Sequence, residues 1–168
     1  AGTWKDVTLN QEFTKAEIDG GKLRFNPDLN ETGSPYTTVG FKVSDGTDYS
    51  ASAYTLTVNV TPANDAPTST DDSVTTPEDT AKVLAITDFG TYADTEGTTI
   101  ASVQITTLET DGSLQYDDAG TWKDVTLNQE FTKADIDAGK LRFNPDLNET
   151  GSPYTTVGFK VSDERDYS

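Results

Sequence analysis

The sequence predicts an all-β protein, a sandwich of short antiparallel strands with one helical turn in each module, and three observations carry this. Apolar and polar residues alternate over short windows; Gly, Asp, Asn and Pro separate those windows; and a block of about fifty residues occurs twice. Residues 1–50 and 119–168 match at 46 of 50 positions at an offset of 118, differing only at Glu17/Asp135, Gly20/Ala138, Gly46/Glu164 and Thr47/Arg165. A period of 118 exceeds the roughly 20–50 residues of a solenoid unit and suits one small domain.

On that period, residues 1–60 read as the rear half of one module, 61–67 as a linker, and 68–168 as a second module lacking its final strand. The chain then reads as an excerpt of a longer array. The spare copy of the missing strand is "YTLTVNV" at 54–60. A linker of this length reaches at most about 25 Å, too short to carry 54–60 back across its own neighbour. An unpaired edge that invites self-association is therefore expected in 68–168.

The elements follow in order. Val39, Phe41 and Val43 alternate with Gly40, Lys42 and Ser44, as a half-buried strand requires. In "YTLTVNV", Tyr54, Leu56, Val58 and Val60 share one face. The two prolines of "TPANDAP" at 61–67 restrict the backbone and remove amide donors, which predicts a semi-rigid connector rather than a strand. "SVQITTL" from Ser102 is a further strand, and "SLQYDDAGTWKDV" a hairpin turning at Asp117–Gly120. That turn would set Tyr116 opposite Trp122 as a cross-strand aromatic pair. "TKADID" is the helical turn: Thr132 caps it, Asp135 follows three residues on and Gly139 stops it. Val157, Phe159 and Val161 repeat the alternation of the first copy. About seven short strands per hundred residues with such turns predict the immunoglobulin-like type of sandwich.

Composition narrows the function. Lys and Arg total 12 against 29 Asp and Glu, a formal charge of −17, and a nucleic-acid reader needs the opposite sign. With no Cys, Met or His, there is no disulfide, thiolate metal site or histidine acid–base chemistry to draw. Ser and Thr hydroxyls abound without a base to activate one, so no nucleophilic constellation appears and the chain reads as a non-enzyme. No apolar run approaches the roughly 18 residues of a membrane span. Such an acidic, cysteine-free chain suits an extracellular bacterial surface, although the lack of cysteine fits a cytoplasm equally well.

Carboxylates recur on the expected loops: "PEDT" with Glu78 and Asp79, "YADTEG" with Asp94 and Glu96, and "VSDG" with Asp45. Hard oxygens clustered on loops suit calcium, which takes six to eight of them in irregular geometry. The plainer reading stands beside this one, since Asp and Asn beside Pro and Gly are ordinary turn formers and Glu78 is equally a solvated side chain. "NPDLNETG" at 26–33 lacks the distal bidentate Glu of an EF-hand and favours a structural loop. Trp4 and Trp122 could stack on sugars, but their hairpin position favours packing.

The order "NDAP", "DD" at 71–72, "PEDT", "DTEG", "GKLRFNP" and "FKVSDG" within one period resembles the cadherin-like tandem repeats of large bacterial surface adhesins, including RTX adhesins and biofilm-associated proteins. The resemblance spans the whole chain. It implies calcium at module junctions, held by Glu78, by Asp94 with Glu96, and by Asn64 with Asp65. The linker lacks the longer acidic pattern of animal cadherins, no "DRE" triplet is present, and the second "SDG" has become "SDER". The function expected is an extracellular spacer, rigidified by calcium, whose partners are neighbouring repeats of the same polypeptide. Two alternatives are a carbohydrate- or cell-surface-binding module acting through multivalency and a non-catalytic accessory region of a secreted hydrolase.

Overall fold

A computed structural model describes residues 3–168. The chain divides into two compact units, Ala1–Pro62 and Ala63–Ser168. All strand pairings are antiparallel. Among the described residues no helix is long and apolar enough to cross a membrane.

The first unit holds helix α1 (Lys15–Asp19) and the strands β1 (Gly33–Phe41) and β2 (Tyr54–Val60), which pair with each other in a two-stranded sheet. A capping box starts the helix, with the Thr14 hydroxyl accepting from the Glu17 N–H and the Glu17 carboxylate accepting from the Thr14 N–H at 3.1 Å. The β1–β2 register sets Phe41 opposite Tyr54, Val39 opposite Leu56 and Thr37 opposite Val58. None of the described residues of this unit is buried.

The second unit forms two sheets. One has the order β3-β8-β5-β6, from β3 (Lys82–Val83), β5 (Ser113–Asp118), β6 (Thr121–Asp124) and β8 (Leu141–Asn144). The other has the order β7-β4-β9, from β4 (Ser102–Thr107), β7 (Glu130–Thr132) and β9 (Gly158–Ser162). Both sheets send side chains into one apolar cluster: Val103, Ile105, Phe131 and Val161 from one, Leu114 and Leu141 from the other. Ile136 of α2 (Lys133–Asp137), Phe89 of a 3-10 turn, and Leu84 and Val125 from the connecting segments complete it. Helix α2 begins as the sequence predicts, the Thr132 hydroxyl accepting from the Asp135 N–H at 3.1 Å. Gly90 closes the 3-10 turn at a φ of 78°, and any Cβ there would lie 1.8 Å from the Thr70 carbonyl oxygen. Only glycine lets that turn meet the 67–71 segment so closely.

The hairpin register differs from the sequence expectation. Trp122 lies opposite Asp117, and Tyr116 opposite Lys123. Ala119 and Gly120, at φ of 53° and 91°, form a two-residue turn of the left-handed kind that matches strand twist, so Asp118 and Thr121 close the hairpin. The tight turn shifts the register by one and puts the two rings on opposite faces. Tyr116 packs against Phe131 with ring centroids 5.9 Å apart, while the Arg142 guanidinium sits 3.9 Å from the Trp122 ring centroid.

The two copies of the block provide an internal control. Val7, Ile18, Leu23 and Val43 are 55%, 51%, 43% and 54% exposed, whereas their equivalents Val125, Ile136, Leu141 and Val161 are 4%, 1%, 0% and 0% exposed. Identical residues are thus either wet or dry according to what surrounds them. Leu141→Ala should lower the stability of its unit by about 2–5 kcal/mol through lost burial and a residual cavity. Leu23→Ala should cost less than about 1 kcal/mol, as at other half-exposed sites. Denaturant titration with residue-resolved amide exchange measures both, and equal costs would show that the first copy has a core of its own.

Candidate metal centre

Four of the five residues implied as calcium ligands gather at one end of the second unit. There the segment from Ala63 enters, the 94–98 turn leads into β4, and the 163–166 turn follows β9. The Asn64 amide donates to an Asp166 carboxylate oxygen at 3.0 Å, and the Asp65 N–H donates to the Glu96 carboxylate at 3.0 Å. Thr68 pairs with Ala93, which fixes Asp94 beside the entering segment. The Ala101 N–H donates to the Ser162 carbonyl at 2.7 Å, drawing the 163–166 turn to the same end.

Each carboxylate is set by its turn. Asp94 accepts the Thr98 N–H at 2.8 Å, so one oxygen folds the 94–98 loop. Asp163 accepts the N–H groups of Arg165 at 2.8 Å and Asp166 at 2.7 Å, the self-bonded turn for which Asp is suited. In both residues this leaves the second oxygen free. Asn64 Oδ1, Asp94 Oδ2 and Asp163 Oδ2 are buried oxygens without a hydrogen-bond partner. A fourth such atom, Glu109 Oε2, belongs to a residue whose other oxygen receives the Leu114 N–H at 2.8 Å. A buried polar atom left unpaired is costly, and a bound cation or water would satisfy it. Among the described residues, no group of three or more His, Cys, Asp or Glu side chains stands close enough together to hold a metal ion. The three unpaired oxygens near the entering segment are an amide and two carboxylates, which suit a hard cation that accepts neutral and charged oxygens together.

Glu78 lies elsewhere. It is exposed on a turn, and its neighbour Asp79 accepts the Asn148 N–H at 2.7 Å. Thr110 and Thr155 meet at that same end of the unit, the Thr110 N–H donating to the Thr155 hydroxyl at 3.1 Å. Glu78 therefore sits beyond the opposite ends of β4 and β9 from Asn64 and Asp94. The nearby "NPDLNETG" loop is closed on itself: the Asp146 N–H donates to the Tyr154 hydroxyl at 3.3 Å, which donates to Glu149 at 3.0 Å. Asp146 also accepts the Gly112 N–H at 3.0 Å. These carboxylates serve the loop.

Asp163 and Asp166 were not among the residues the sequence singled out. The signal was present in the "VSDG" motif around Asp45, whose second copy reads "VSDER". Comparison with protein-family models, with curated proteins and with solved structures gives no match.

The Asp163 carboxyl is held below its ordinary value, first by the Asp166 N–H and then by the Arg165 N–H, against the opposing effect of burial. The Asn64 amide beside it adds to this lowering. A lowered folded-state pKa stabilises the fold at pH above the ordinary aspartate value of about 3.9, and that stabilisation is lost as pH falls through the lowered value. In metal-free buffer, the carboxyl carbon resonance of Asp163 should titrate below the ordinary aspartate range. Asp163→Asn should flatten the acid limb of the stability curve. A midpoint at or above the ordinary value would mean that the turn does not hold its two N–H donors in solution.

Proposed function

We propose that this chain is part of the stalk of an extracellular bacterial adhesin, built from tandem cadherin-like modules of the immunoglobulin-like β-sandwich type and stiffened by calcium where one module meets the next. The observation that carries this reading is the set of unpaired buried oxygens, Asn64 Oδ1, Asp94 Oδ2 and Asp163 Oδ2, at the end of the 63–168 unit where the chain enters it. Asp65 and Glu96 stand beside them. These residues would hold the ion, which would supply charge neutralisation at an end crowded with carboxylates.

Three further features support a spacer. The block recurs with 46 of 50 positions identical, as a length unit requires and a shaped ligand site does not. The net charge of −17 favours solubility and mutual repulsion of neighbouring molecules. The tryptophans are engaged within the module, Arg24 standing 4.1 Å from the Trp4 ring centroid and Arg142 3.9 Å from that of Trp122, which disfavours them as sugar platforms. No nucleophile–base pair is formed by the clustered residues, and the reading is of a non-enzyme at the bacterial cell surface.

Calcium bound only by the folded state adds RT ln(1 + [L]/Kd), about 2.7 kcal/mol at a hundredfold excess over Kd. The full chain should therefore melt higher in calcium than in chelator. Calorimetric titration should show binding that weakens at least about tenfold, or about 1.4 kcal/mol, in Asp94→Asn with Glu96→Gln and in Asp163→Asn. Glu78→Gln should leave the affinity unchanged. Superimposed melts in calcium and chelator would refute the calcium centre.

A further inference from the structure

The stretch Asp-Leu-Asn-Glu-Thr at 146–150 lies at the end of the 63–168 unit away from the candidate metal centre, and all five residues are exposed. The Glu149 N–H donates to the Asp146 carbonyl at 3.3 Å, closing a β-turn with Leu147 and Asn148 at its centre. Asn148 takes a left-handed φ of 56°, which asparagine tolerates at the third position of such a turn. The base of the turn is fixed: Asp146 accepts the Gly112 N–H, Glu149 accepts the Tyr154 hydroxyl, and the Asn148 N–H donates to Asp79. This scaffold uses the backbone of Asn148 and leaves its side-chain amide, with the Thr150 hydroxyl, at the surface.

The first copy of the block builds the same turn. The Glu31 N–H donates to the Asp28 carbonyl at 3.3 Å, and Asn30 has a φ of 60°. No described residue of that unit is buried, so the turn is a local product of its own sequence. Asparagine followed two residues later by threonine, with no proline between, is the acceptor pattern for N-linked glycosylation, and it belongs on surface loops. The turn alone does not require that pattern. The Gln129 N–H closes a like turn on the Thr126 carbonyl at 3.0 Å, with Asn128 at a φ of 63°, yet the residue two beyond Asn128 is Glu130. Asn59 carries the pattern in "NVT", but it lies within β2, its side-chain oxygen accepts the Ser34 hydroxyl at 3.2 Å, and Pro62 follows directly. Pattern and exposed turn coincide at Asn30 and Asn148, one in each copy of the block.

We propose that Asn148, and with it Asn30, is an acceptor site for an N-linked glycan. The donor class is a sugar activated on a diphosphate, carried by a polyprenol or by a nucleoside. In the transfer a bond forms between the asparagine Nδ2 and the anomeric carbon as the bond from that carbon to the diphosphate oxygen breaks. The diphosphate leaves with the electron pair, one amide proton passes to a base of the transferase, and nothing is oxidised or reduced. The threonine hydroxyl two residues on is what a transferase must reach to select the site, and here it is exposed. A glycan at Asn148 stands at the opposite end of the unit from Asn64, Asp94 and Asp163, and its assignment is independent of the calcium reading.

The test presents the full chain to two transferases. One arm uses a membrane oligosaccharyltransferase with a polyprenyl-diphosphate glycan, the other a soluble asparagine glycosyltransferase with a nucleoside-diphosphate hexose; intact mass and glycopeptide mapping read both. At least one arm should add glycan at Asn30 and Asn148 and leave Asn59 and Asn128 bare, and the arm that does so identifies the donor. Thr150→Ala should abolish addition at Asn148 while Asn30 remains modified as an internal control, and Thr150→Ser should retain both. A chain unmodified in both arms, or modified at Asn30 alone, overturns the assignment of Asn148. Undiminished modification of Asn148 in Thr150→Ala, or transfer to Asn128 as readily as to Asn148, overturns it equally, since exposure rather than the pattern would then select the residue.

Discussion

The apolar side chains of residues 119–168 leave water against one another and against residues that precede them in the chain. Leu141 and Ile136 are dry because Leu84, Val103, Ile105 and Leu114 lie against the same cluster. None of the equivalent residues of 3–50 is buried in this structure. The helical caps recur in both copies because each is satisfied within a few residues, and the tryptophan–arginine contact recurs across the same 20-residue separation. Burial is not local and does not survive. Most of the favourable free energy of folding comes from that term, so the 63–168 unit depends on its two sheets meeting at one cluster.

Period-two alternation placed β2, β4 and β9, and the Thr132 cap placed α2, because each of these signals is local. The register of the 113–124 hairpin was not legible. Ala119 took a left-handed conformation usually reserved for Asn or Gly, and a one-residue difference in the turn moved Trp122 from Tyr116 to Asp117. The choice of partner for Trp122 depended on Arg142, which β8 brings alongside from a distant part of the sequence.

The candidate metal centre divides in the same way. Asn64, Asp65, Asp94 and Glu96 come from two stretches whose acidity was visible in the sequence. Asp163 joins them only because β9 and β4 are paired, and Glu78 leaves them because its turn lies at the other end of those strands. A residue spacing cannot say at which end of a strand a loop will emerge; strand direction decides it. Self-bonded turns sharpened the result, since each Asp that spends one oxygen on its own loop keeps the other for something else.

The two tryptophans bear on how such a chain would be watched. Each stands under an arginine from its own copy of the block, at 4.1 Å and 3.9 Å from the ring centroid, and neither ring belongs to the apolar cluster. Trp4 is 49% exposed and Trp122 half-buried, so the arginine and the solvent weigh differently on the emission of the two rings. Phe159 meets Phe89 edge-on with ring centroids 5.2 Å apart, whereas its equivalent Phe41 meets Tyr54 at 5.9 Å, so one repeated residue sits in two different aromatic environments, which near-ultraviolet circular dichroism reads.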